Sequence, residues 1–301
     1  MPTPMLRSGQ FLFVVLVLLV GRVGWAQPSP NPTTQPIKQF EEFLKRLYYQ
    51  QTPDQRPLTT DSLRALYPRQ SYVLSLFDAK DPRRTESAYQ RAVDAFATEL
   101  ADSPEKPVDL YAHLLAETAF RITFRGQSGV LMAYWKMVHV HKAQGWRLIG
   151  VKAPLLESSF ETATPGADPL NDTKQEQASS ADSAQPANRP LTLPPNAHET
   201  SFLSFHHLVK QGQDIQLVLS DSLRQTTAGR ALVRAVRCHE LIVPDTERVT
   251  FFVPTGPGWV VRVDEFPRNE ANSGWLISDL YGPLAPAALP PELAVLLRAN
   301  P

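Results

Sequence analysis

The sequence predicts an α+β protein of two similar domains, each with N-terminal helices followed by a curved antiparallel sheet meander. Three observations predict it. Two blocks of apolar periodicity, 37–156 and 200–284, flank a long polar stretch. In each block helical spacing comes first, and apolar runs bounded by turn residues come after. The two blocks also repeat at a constant offset of 129 residues: Gly129 falls on Gly258, Gly145-Trp146 on Gly274-Trp275 and Pro154-Leu155 on Pro283-Leu284, with Leu74-Ser75 on Leu203-Ser204 upstream. An offset that keeps two hairpin turns and a strand exit in register is the mark of a duplication.

The chain opens with a targeting pattern. Arg7 precedes the apolar run Phe11–Val20, about half the roughly 20 residues that a membrane-spanning helix needs. Gly24 and Ala26 are small residues at the two positions read by signal peptidase, which predicts a signal peptide over 1–26, cleaved after Ala26. The product is exported, periplasmic or secreted, with no stable transmembrane span after cleavage. The leader carries Arg7 and Arg22 and no acid, so 28 basic residues face 30 acidic ones in the remainder. That balance gives no electrostatic footprint for nucleic acid. The single cysteine, Cys238, cannot form an internal disulfide, and its apolar neighbourhood reads as a small buried hydrophobe.

A Pro-rich lead-in covers 27–36. In the first block Ile37, Phe40, Phe43, Leu44, Leu47 and Tyr48 keep helical spacing. Leu63, Leu66 and Tyr67 predict a short helix stopped by Pro68. Tyr89, Ala92, Val93, Phe96 and Leu100 predict another, with Thr85 as its N-cap. The run 71–77 (SYVLSLF) fits either a helix or a buried strand. Three strands follow, ETAFRITF, VLMAYWKMVHVHK and WRLIGVKA, with RGQSG and KAQG as their turns. Residues 157–199 are polar, rich in Ser, Ala, Asp, Gln and Pro, and predict a disordered linker. In the second block, Phe202, Phe205, Leu208 and Val209 fit a helix ended near Gly212, and a second helix covers about 228–236. The strands RVTFFV, GWVVRVDEF and GWLISDLY follow. The tail 285–301 includes PELAVLLR, a candidate short helix with Pro at its first position.

His139 and His141 stand two apart in the second strand of the first block, on the same face as Leu131, Ala133, Trp135 and Met137. With KAQG as a four-residue loop, His141 faces Trp146 and His139 faces Leu148. Glu117 opposes His139 only after a one-residue shift of the preceding hairpin. Trp135, His139, His141, Trp146 and Glu117 are therefore the ligand-binding candidates, as the wall and rim of a pocket in the first block. A metal site needs a third and usually a fourth ligand, and the spacing supplies none, so no metal site and no cofactor is predicted. The second block has Arg268 and Glu270 at the positions of the histidine pair. His206 and His207 are adjacent on a helix and point about 100° apart, which suits an exposed helix face better than chelation. The Asp264-Glu265 pair lacks the spacing of a calcium loop, and no nucleophile elbow or phosphate loop is present.

Helices followed by an antiparallel meander closing in GWRLIGV and GWLISDL resemble the NTF2-like (cystatin-like cone) superfamily, in tandem domains of the small exported type. The resemblance implies a sheet wrapped round a helix to form a conical pocket. It covers isomerases and dehydratases as well as non-catalytic binding and assembly modules. No catalytic motif of those members maps onto this chain, so no catalytic residue is assigned. The function expected is an exported, non-catalytic binding or assembly module whose partner is a small apolar ligand or a protein. A homodimer through the sheets is compatible with this layout. The alternative is a pocket enzyme, an isomerase, dehydratase or metal-assisted hydrolase, using His139 and His141.

Overall fold

A computed structural model describes residues 35–103, 110–140, 143–161, 198–212, 215–255, 258–285 and 288–294, apart from residues 112 and 291–292. The predicted signal peptide, most of the linker, His141 and the end of the C-terminal tail lie outside the described residues.

The first block gives α1 (Phe40–Leu47), α2 (Asp61–Leu66), α3 (Arg69–Leu74), a 3-10 turn (Pro82–Thr85) and α4 (Ser87–Asp102). Strands β1 (Leu115–Phe124), β2 (Gln127–Val140) and β3 (Ala143–Lys152) follow, then α5 (Pro154–Glu161). The second block gives α6 (His198–Gln211), α7 (Ile215–Val218), α8 (Asp221–Gln225) and α9 (Thr227–Arg237), then β4 (Leu241–Thr255), β5 (Trp259–Phe266) and β6 (Gly274–Tyr281). The α+β class and the order of helices before strands hold in both blocks.

Local chemistry explains the elements. In α1 the apolar stripe Phe40, Phe43, Leu44 and Leu47 is buried, with acids in the first turn and bases in the last, as the helix dipole favours. Thr60 caps α2, and Thr226 caps α9 through its hydroxyl and Gly229 N. Thr85 does not cap α4. It closes the 3-10 turn by donating to Pro82 O, and Glu86 takes the cap position. Gly212 (φ 68°) ends α6 in the left-handed region, where a Cβ would stand 2.7 Å from the His239 ring. The ambiguous run 71–77 is both things in succession, the end of α3 and then a single bridge at Phe77. The span predicted as linker opens inside a helix, because Pro154–Glu161 is helical and buries Leu156; its residues 162–197 lie outside the described residues. Cys238 is exposed, because it is the C-cap of α9, beyond that helix's buried face.

Among the described residues the six strands form one antiparallel sheet in the order β3-β2-β1-β4-β5-β6. The blocks are not separate cores, since one apolar cluster runs through both. The joint lies between β1 and β4. There Ala119 pairs with Arg248, and these residues are 129 apart, so the offset of the duplication locates a pseudo-two-fold axis. The bulged residue of β3 is Ile149 and that of β6 is Ser278, again 129 apart.

The helices are exchanged across this axis. Helices of the first block cover strands of the second: Phe40 stacks on Phe251 with centroids 3.7 Å apart, and Phe96 meets Trp259 edge-on at 5.6 Å. Trp259 Nε1 also donates to Glu99 at 2.6 Å. Helices of the second block cover strands of the first: Phe205 stacks on Phe120 at 5.0 Å, and Phe202 lies 5.3 Å from Trp135 and 5.5 Å from Trp146. The sheet edges are closed the same way. Phe77 forms a parallel bridge to Ile277 on β6, and Leu219 forms one to Leu148 on β3. Phe77 and Leu219 are 142 apart, so the helical parts repeat at a different offset from the strands. The match of Leu74-Ser75 with Leu203-Ser204 is therefore not structural: Leu74 ends α3, whereas Leu203 lies within α6. Arg83 tightens the exchange by donating to Ser278 O and Asp279 from across the chain.

The opposite face of the sheet is covered by the tail, where Leu293 is buried among Leu115, Tyr134, Phe252 and Tyr281. Near α1, Glu42 and Arg46 form a buried ion pair at 2.5 Å, and Arg46 also donates to Gln35 O and Pro53 O. Such a pair holds its surroundings in place because breaking it strands a charge, at a cost of about 3–5 kcal/mol.

Each half leaves much of its sheet face to be covered by helices of the other. Residues 27–161 and 198–301 expressed separately will lack cooperative unfolding and near-UV circular dichroism, and mixing them will restore both. Gly274 has φ 81° and a Cβ there would meet Ile37 O at 2.0 Å, so Gly274→Ala will cost about 2 kcal/mol or more in denaturant unfolding.

Candidate functional site

The sequence candidates are dispersed. Trp135 and Trp146 are fully buried and meet through Phe202 of α6, with Phe205 of the same helix edge-on to Trp135, and Trp146 also approaches Phe251 at 5.9 Å. The indole N–H of Trp135 is used, donating to Thr118 at 2.8 Å. These rings are core, packed at the density of an interior.

His139 is exposed at the turn end of β2, with Gln144 Nε2 2.8 Å from its Nε2. The register differs from the expected one. His139 pairs with Gln144 and Trp146 with Met137, because Val140 pairs with Ala143 and only residues 141–142 lie between. Ala143, Gln144 and Gly145 continue β3 instead of forming the loop. The preceding turn is tight as well: Arg125 (φ 49°) and Gly126 (φ 81°) make a two-residue connection with both centres left-handed. Glu117 consequently pairs with Tyr134, on the face of the sheet opposite Trp135, and forms an ion pair with Arg248 at 3.2 Å. Glu117 and His139 do not converge. His206 is half-buried, edge-on to Phe120 and 3.1 Å from Thr246 Oγ1, and burial lowers its pKa. His207 is exposed.

A groove of about 570 Å³ lies elsewhere, between β4 and the end of β5. Its lining includes Asp245, Glu247, Arg248, Arg262, Asp264 and Trp275. Asp264 is its structural hub, since its carboxylate accepts from Thr250 Oγ1 and from Ser278 Oγ, each at 2.5 Å. Arg262 Nε stands 2.8 Å from Asp264 Oδ2, an ion pair in which the Nε–H is not aimed for a hydrogen bond. Burial, the largest single influence, would lower the pKa of Arg262, but Asp264 and Tyr281 beside it together outweigh burial and raise it. With its oxygens taken, Asp264 ties three strands together and is poorly placed to move a proton.

Among the described residues no group of three His, Cys, Asp or Glu side chains is arranged to hold a metal ion. Nor is any described helix long and apolar enough to cross a membrane. The groove escapes sequence reasoning because it forms where two strands part. Its one written signal is Pro267, which occupies the position of Val138 in the duplicated frame.

No family model, no curated protein and no solved structure matches the chain.

Beside the groove, Arg268 makes two hydrogen bonds of 2.7 Å to Asp78, which hold the Asp78 carboxyl below its ordinary pKa. A carboxylate with a lowered folded pKa stabilises the fold above its unfolded value of about 3.9, and that contribution is lost as pH falls through the folded value. Asp78→Asn will thus cost about 1–2 kcal/mol near neutrality. Chemical denaturation along a pH series will show the gap closing as the solution is acidified.

Proposed function

We propose that the chain is an exported, non-catalytic binding or assembly module. The observation that carries this reading is the closed packing over Trp135 and Trp146. Where a pocket would need space, Phe202 and Phe205 fill it. The polar groove between β4 and β5 supports the same reading, because its charges are largely matched within the fold, as in Arg262 with Asp264 and Arg248 with Glu117. Surfaces of that kind recognise partners more readily than they activate a nucleophile. The NTF2-like kinship belongs to this proposal, and the order of helices and a three-stranded meander in each half supports it.

The test is the metal content of the mature protein, prepared from Gln27 without a His-tag, by elemental mass spectrometry beside a native mass spectrum. The reading expects no stoichiometric transition metal and no loss of fold in His139→Ala. Stoichiometric zinc or another transition metal, lost in His139→Ala, would sink it in favour of a metal-assisted enzyme.

A further inference from the structure

The face of the sheet that carries the tail changes character along its strands. Over much of its length it is charged and internally paired, Arg121 with Glu247, Arg248 with Glu117 and Arg262 with Asp264. Such a face is at home in water. At one end it turns apolar. Leu115 of β1 and Phe252 of β4 stand opposite each other across the joint of the two halves, with Tyr134 of β2 and Tyr281 of β6 in the same cluster and the Phe252 and Tyr281 rings 6.3 Å apart. Met132, Ile149 and Val260 extend the patch, so every strand of the sheet contributes to it.

A continuous apolar patch on an otherwise charged face marks a place where something binds. Here the occupant is the chain's own tail. Leu293 is fully buried on the patch and Leu289 is half-buried beside it. The tail presents these leucines from a single turn begun by Pro290, whose carbonyl accepts from Leu293 N and Ala294 N. Those bonds are internal. Among the described residues no main-chain hydrogen bond joins 288–294 to the sheet, so the segment is held by its leucines. Segments fastened by few apolar contacts open at the low end of a protein's stability range.

The first half treats the chain after its last strand differently. There Pro154-Leu155 leads straight into α5, which packs on α9 and β2, and Leu155 lies against the core. The corresponding Leu284, after β6, is 63% exposed. One segment is built into the body, and the other is laid over an apolar face. The seated segment also states what the patch takes: a short helical turn begun by proline, with leucines at 289 and 293 as i and i+4 anchors.

We propose that the apolar end of this face is a docking site for a leucine-bearing helical turn of a partner protein, and that the chain's own tail occupies it as a competitor. This rests on the binding-module reading and gives that module its surface. The affinity for the partner is lowered by the fraction of molecules whose tail is seated.

A labelled peptide of residues 286–301 stands in for the partner, read by fluorescence anisotropy on the purified full chain. Leu293→Asp in the protein unseats the tail, since an unpaired carboxylate is not tolerated in a fully buried seat. Leu293→Ala does so more gently, should the first variant lose its near-UV circular dichroism. The unseated variant is expected to bind the peptide saturably and at least about tenfold tighter than the wild type, a difference of about 1.4 kcal/mol. A peptide of the same composition in scrambled order will bind that variant at least about tenfold more weakly. Val260→Lys, added at the half-buried rim of the patch, will weaken the native-order peptide by a similar factor. The proposal fails if wild type and variant bind alike, if neither binds, or if the scrambled peptide binds equally. A wild-type dimer in the native mass spectrum that Leu293→Asp converts to monomer would make a second copy's tail the occupant and overturn the partner. A metal-free protein with no peptide binding in any arm would overturn this site and leave the binding-module reading in place. Stoichiometric metal lost in His139→Ala would tell against that reading itself.

Discussion

Phe251 sits where the two halves of this protein meet, and the fold depends on what surrounds it. Phe40 of α1 stacks on it, Phe202 of α6 lies 6.2 Å away, and Trp146 and Trp275, the tryptophans of the two GW turns, flank it at 5.9 and 5.2 Å. Each half thus sends one helix residue and one strand residue to a single point. A sheet with an apolar face must bury that face against something, and here each half buries much of it against helices from the other, while α6 also packs on β4 of its own half. The constraint is mutual, so the core closes only when both halves are present.

That exchange also settles the edges. Phe77 and Leu219 cross to the strand that the opposite half leaves open, and they do so at matched places on β6 and β3. What remains unpaired is interior to the sheet, along the lower part of β4, and it exists because one proline shortens one strand of a duplicated pair. The strands of the two halves repeat at an offset of 129 residues, and Pro267 makes the second half differ from the first beside β4.

Much of the fold is legible in the residues. All six expected strands exist, although β4 begins at Leu241, seven residues before the predicted run RVTFFV, and the helices carrying Phe40, Tyr89, Phe202 and Leu232 follow their 3.6-residue periodicity. Turn ends were less legible. Ala143-Gln144-Gly145 has the composition of a loop yet lies in β3, and that shift moved His139 from Leu148 to Gln144. A period of two records which face a residue takes but not where a hairpin closes. The candidate residues inherit this limit: the face shared by Trp135 and His139 follows from alternation, whereas the separation of Glu117 from them depends on the register of a different hairpin.

The sequence by itself determined the α+β class, the order of helices and strands and the 129-residue repeat of the strands, because these rest on local periodicity and on matches readable along the chain. The tertiary structure decided that two blocks make one sheet, that their helices are exchanged, and that Trp135 and Trp146 lie in a closed core while a groove opens beside β4. Those outcomes rest on which apolar face covers which. Either pairing of helices with strands buries similar surface, and the hydrophobic effect, being non-directional, leaves that choice to shape and chain connectivity.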